Sequence, residues 1–171
     1  MTTPYDYKNC QSLFGYAFDV HARSSGTCQL CGCGGAELTF DLWRQMTVEH
    51  IIGKSQGGGL KDIRLAVTER FPELSLEDCE VLSKAIDAVN TVTACSFCNS
   101  TTSRNHCHIS MTNIIQTSSS EPLEVVKQVA AVLQPILEQK RADVQWKLES
   151  VRQEYESRFL SLRTAPPSVV R

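Results

Sequence analysis

The residues best suited to chemistry in this chain are four cysteines and an acid–imidazole pair. Cys28 and Cys31 form one Cys-x-x-Cys and Cys95 and Cys98 another, and between them lies Val48-Glu49-His50-Ile51-Ile52-Gly53-Lys54-Ser55-Gln56-Gly57-Gly58. Two such cysteine pairs supply the four thiolates of a tetrahedral zinc, which holds together loops that a small core cannot. A redox dithiol needs a strand-to-helix turn in a parallel fold, and the order of segments here is wrong for that. Cys33 is close enough to compete with Cys31, but its spacing from Cys28 is less usual, which favours Cys31. Glu49 and His50 put an oxygen ligand and a proton acceptor one residue apart at the end of an apolar strand, the combination that phosphodiester hydrolysis needs.

The whole chain bounds what these residues can do. Its 171 residues are 42% hydrophobic, enough for one domain with a real core and an appendage. Eight cysteines without an apolar leader point to a reducing, cytoplasmic setting, where Cys-x-x-Cys spacing means metal more often than disulfide. No run approaches the length of a membrane-spanning helix. The net charge of −2 gives no overall attraction to nucleic acid, so any DNA contact must come from a local basic face or a partner.

The elements that must position the site follow from periodicity. Residues 1 to 11 read as a loose lead-in. Apolar positions from Leu13 to Ala22 recur at helical spacing until Ser24-Ser25-Gly26. Leu38, Phe40 and Leu42 alternate, as do Met46, Val48 and His50, which predicts a hairpin of these two segments. Residues 61 to 71 read as a helix, and Ser75-Leu76-Glu77-Asp78 as a capping box opening another to about Val89. Its stripe of Cys79, Leu82, Ile86 and Val89 makes Cys79 a core residue and not a ligand. A short helix is expected near Cys98, a linker over 116 to 121, and a helix from Leu123 to Leu133, with Pro135 kinking it or opening the next. Beyond Ile136 the apolar three- and four-residue steps predict a rod of roughly 40 Å, long enough for dimerisation or for docking on a larger partner. Arg141 and Arg158 interrupt its stripe. The domain is thus placed at 1–115, with a helical insertion at about 60–89. The C-terminal helical arm is placed at 121–163 and a tail at 164–171.

Taken as a set, Glu49-His50, Ser55, Gly57-Gly58, Asn90, and Asn99 directly after Cys98 resemble the HNH endonucleases of the ββα-metal class. The resemblance covers about residues 26 to 105. Glu49 stands where that family usually has Asp, Gly53 where Pro is common, and some thirty residues are inserted before Asn90. The resemblance implies an α+β fold with a zinc-bound ββα-metal core, and a metal-dependent endonuclease that hydrolyses DNA. In it His50 is the general base, and Glu49 and Asn99 hold one Mg²⁺ or Mn²⁺. Asn90 ties the loop that orients His50. Cys28, Cys31, Cys95 and Cys98 carry a structural zinc. Arg104 and Lys54 are the expected phosphate contacts, with Lys61 and Arg64 as further candidates. His21 reads as a surface or partly packed residue and His106-Cys107-His108 as a polar helix end. Two other readings stand beside the nuclease. One is a non-catalytic zinc module that binds nucleic acid or protein; the other is a subunit active only when its arm docks on a targeting partner.

Overall fold

The computed structural model describes residues 16–102, 109–160 and 162. Within them the chain is a mixed α+β structure, seven α-helices around one two-stranded sheet. The sheet is antiparallel, β1 (Met46–His50) against β2 (Thr91–Cys95), with Met46 opposite Cys95 and His50 opposite Thr91. The expected hairpin of 38–42 with 46–50 does not form. Thr39 instead caps a one-turn helix, α2 (Phe40–Trp43), by accepting from the Leu42 amide, and the alternation there is that of a helical turn. The partner of β1 arrives only after two helices, because all five residues of β2 are buried and give a fully covered strand.

Those two helices are the insertion. α3 (Leu60–Arg70) and α4 (Leu76–Asn90) face each other through Ile63, Ala66 and Val67 on one side and Leu82 and Ile86 on the other. Ser75 caps α4 by accepting from the Asp78 amide, as the capping box requires, and Cys79 is buried in the core. β2 runs straight into α5 (Ser96–Thr101), so the order is strand, inserted helices, strand, helix. α1 (Tyr16–Arg23) ends where Ser25 and Gly26 take positive φ and the Gly26 amide returns to the His21 carbonyl.

A helix that periodicity does not show, α6 (Met111–Thr117), fills the start of the expected linker and buries Met111, Ile114 and Ile115. Then α7 (Pro122–Glu154) runs unbroken for 33 residues and continues as a π-helical turn, Tyr155–Phe159. Pro135 neither kinks α7 into two nor starts it, since both Pro135 and the Ala131 carbonyl it deprives of a donor lie on the exposed side, where water serves. As far as Val144 the helix belongs to the core: Val125, Val129, Leu133 and Val144 join the same apolar cluster as Ile52, Ile86 and Met111. The expected boundary near 115–121 therefore does not separate two cores. Only the later part, with Val151, Tyr155 and Phe159 exposed, extends beyond it. No described helix is long and apolar enough to cross a membrane.

Candidate metal centre and strand-end site

The thiols come together through tight turns. Positive φ at Gly32 and Gly34 folds the knuckle back, and the Cys28 amide donates to the Cys33 carbonyl at 2.8 Å. The knuckle is then laid on β2: Gln29 exchanges hydrogen bonds with the Thr93 backbone, and the Cys95 amide donates to Cys28 Sγ at 3.3 Å. The sulfurs of Cys28, Cys31, Cys33 and Cys95 lie within 4.8 Å of one another, and Cys31 and Cys95 are 4.0 Å apart. Tetrahedral zinc with ordinary Zn–S bonds needs sulfurs about 3.8 Å apart, so the group fits a zinc ion with little movement. Cys98 is fully buried, and its thiol interacts with those of Cys28, Cys31 and Cys95. Cys33, which spacing set aside, is thus in the group of four, while Cys98, which spacing included, touches three of its members without belonging to it.

The electrostatics ask for a cation. Cys28 is held far below the ordinary thiol range by hydrogen bonds from Cys31, Cys95 and Cys98, so one thiolate forms readily. Cys95 and Cys98 are pushed up, chiefly by the side chain of Cys28 and then by that of Cys31, and burial raises Cys33 to about 11. Further thiolates beside the first need a positive ion, which a bound zinc supplies.

At the other end of β1, successive residues project to opposite faces. Thr47 and Glu49 face α5 and α7. Asn99 donates from Nδ2 to Thr47 Oγ1 at 2.9 Å, about 7 Å along the strand from Glu49. His50 lies on the other face with Val48, beside Thr91, whose hydroxyl accepts from Arg23 of α1 at 2.9 Å. Burial pushes the His50 imidazole down to about 4, helped by the positive charges of Lys54 and Lys140. At neutral pH it is an uncharged proton acceptor.

Asn90 makes the loop between them. It accepts from the Ile52 amide at 2.8 Å and donates to the carbonyls of Ile52 and Gly58 at 3.1 and 3.0 Å, while its own carbonyl takes the Ile51 amide. The loop is drawn so close that a Cβ on Gly58 would sit 1.8 Å from the Ile52 oxygen.

One residue that sequence reasoning missed dominates the Glu49 face. Lys140 of α7 puts Nζ 2.5 Å from Glu49 Oε1 and 3.1 Å from the His50 carbonyl oxygen, and both side chains of the pair are buried, at 1% and 8% exposure. A divalent ion therefore does not fit Glu49 as the side chains stand, because the carboxylate already holds a cation. Ninety-one positions separate the two residues, and only the stripe of α7 hints that one of its faces is buried.

Of the remaining expected residues, Lys54 is exposed on the turn Lys54–Gln56, and Arg64 is committed to Glu80 in a forked pair. Lys61 is exposed. His21 is fully buried, not at the surface, bonded to Thr93 at 3.0 Å and edge-on to Trp43. Arg104 and His106-Cys107-His108 lie outside the described residues. No family model, no curated protein and no solved structure matches the chain.

Proposed function

We propose that this protein is an HNH-type endonuclease that hydrolyses DNA phosphodiester bonds, with His50 as general base and a thiolate-bound zinc as scaffold. The observation that carries the proposal is the arrangement at the strand end. An uncharged, half-buried imidazole closes β1, a loop pinned by Asn90 follows it, and β2 leads into the helix that bears Asn99. In this reading His50 takes the proton of the attacking water and Asn90 keeps the imidazole in place through the 51–58 loop. Lys54, exposed beside the loop, contacts backbone phosphate, and Arg104 is assigned the same task by resemblance. Zinc holds the knuckle against β2 and takes no part in the hydrolysis. The resemblance would put a Mg²⁺ or Mn²⁺ ion on Glu49 and Asn99, but Lys140 holds the Glu49 carboxylate and Asn99 is bonded to Thr47, so no step is assigned to such an ion.

The buried Lys140–Glu49 pair favours a second reading, a zinc module that binds nucleic acid or a protein without cutting. Supercoiled plasmid incubated with wild-type protein and with His50→Ala, in Mg²⁺ and in Mn²⁺, separates the two. Cleavage by the wild type alone supports the nuclease; intact plasmid in both, with DNA retained in a gel shift, supports the module. If the wild type cuts only when a protein partner is added, the arm-docked subunit is the correct form of the nuclease reading.

A further inference from the structure

We propose that the bare end of α7 pairs with the same segment of a second copy of this chain, antiparallel and about a two-fold axis at Tyr155. The face concerned is the one that α7 already uses. Val129, Leu133, Leu137 and Val144 are buried in the core and Leu148 packs against its edge, and Val151, Tyr155, Phe159 and Leu162 follow in three- and four-residue steps. Those last four are 51%, 45%, 53% and 74% exposed, and every described residue from Glu149 onward is exposed. The Tyr155 and Phe159 rings stack at 5.5 Å, which keeps them on one face through the π-helical turn, and Glu154 holds Arg158 at 3.2 Å on the flank beside them. The stripe is thus a core-type surface with no core against it.

Sterics and charge both choose the occupant. A parallel second helix on this face, traced back toward its own N-terminus, would run into the body that covers Val144. An antiparallel one enters from the free end and carries its own body away beyond Leu162. Pairing about Tyr155 then sets Leu148 of each copy against Leu162 of the other, and Val151 against Phe159. It also sets Glu154 against Arg158 on one flank and Arg152 against Glu156 on the other, with opposite charges meeting at both. Parallel pairing would instead bring Lys147 beside Arg152. Residues 148 to 162 span about 22 Å, and a contact of that length buries roughly 1,000 Å² in total, the small end of specific interfaces. The dimer is therefore expected with a Kd of about 10–100 µM, so that the arms are apart in a dilute melt.

Sedimentation equilibrium of the full chain over about 2 to 500 µM, a range that brackets the expected Kd, is the test. The weight-average mass should rise from one chain toward two. Tyr155→Glu, which puts two carboxylates on the axis, should abolish the rise and leave the thermal melt of the dilute protein unchanged, because position 155 lies outside the core. Charge decides the direction of pairing. Arg158→Glu alone and Glu154→Arg alone each set like charges against each other across one flank, and each should associate at least about tenfold more weakly than wild type. An equimolar mixture of these two variants should recover the association, since opposite charges then meet only between chains. A chain that stays single over the whole range overturns the proposal, and the stripe then belongs to a different partner or to the chain's own last residues. Association untouched by Tyr155→Glu also overturns it, by placing the interface elsewhere. Single variants that associate as well as wild type, or a mixture that fails to recover, overturn the antiparallel pairing. Plasmid cleavage by wild type against His50→Ala judges the nuclease separately, whichever of these results is found.

Discussion

His50 is ordinary in type and unusual in setting. A free imidazole changes charge near pH 6.5, whereas here burial and two lysines bring the midpoint to about 4. The acid limb of cleavage should therefore fall near pH 4, with a flat rate from about pH 5.5 upward until another group titrates, and a pH–rate profile with its limb near 6.5 would contradict that. The same shift has a sign for stability. Between about 4 and 6.5 the unfolded chain binds the proton and the folded one does not, so stability is complete above 6.5 and declines as pH falls toward 4. Urea melts at pH 7 and pH 5 should show wild type losing more than His50→Gln. Asn90 belongs to the same scale. Its side chain makes three buried hydrogen bonds to the 52–58 loop, and Asn90→Ala should cost about 3 kcal/mol by urea denaturation, since buried amide and carbonyl groups lose their partners. A loss under about 0.5 kcal/mol would show that the loop is held by other contacts.

Among the elements, the ones that local chemistry dictates were legible in the sequence. The capping box of α4, the core role of Cys79 and the short helix near Cys98, which begins two residues earlier at Ser96, follow from patterns within a turn or two of the residues concerned. β2 carries no strand signal because Thr91–Cys95 is buried on both faces and shows no alternation, and the alternating segment nearest to β1 is 38–42, which folds as a helical turn. The knuckle shows the same limit. Spacing finds Cys28 and Cys31, but the positive φ of Gly32 and Gly34 that swings Cys33 into the cluster is a matter of backbone geometry. With Cys33 in the group of four and Cys98 against three of its members, either can serve as the fourth ligand, so Cys33→Ser and Cys98→Ser should each retain one zinc per chain by elemental analysis, and the double variant should lose it. Loss of zinc from one single variant alone would identify the preferred set and refute the redundancy.

For the whole molecule, α7 is the element that makes one body of the parts. Its first stretch closes the core and sets Lys140, Arg141 and Lys147 on the strand end, the knuckle and α5, while its last turns leave the core with apolar side chains bare. Periodicity showed the length and the stripe but not which part of the stripe is covered, because coverage depends on elements up to a hundred residues away. The two halves should respond differently. Leu133→Ala, at 1% exposure, should cost about 2–5 kcal/mol in thermal or urea melts, and Phe159→Ala, at 53% exposure, within about 0.5 kcal/mol. If Phe159→Ala destabilises as much as Leu133→Ala, the exposed stripe is already covered in solution by a second copy or a partner, and sedimentation of the two variants tells which.

The net charge of −2 leaves long-range attraction for DNA weak, so the proposed cleavage depends on chemistry at the strand end and not on affinity. Its most direct test is the cleavage rate of supercoiled plasmid by wild type and by His50→Ala, at equal zinc content and in the same Mn²⁺ buffer. The wild type is expected to nick or linearise the plasmid, and His50→Ala to do so at least about a hundredfold more slowly. Equal rates for the two zinc-loaded proteins would contradict it.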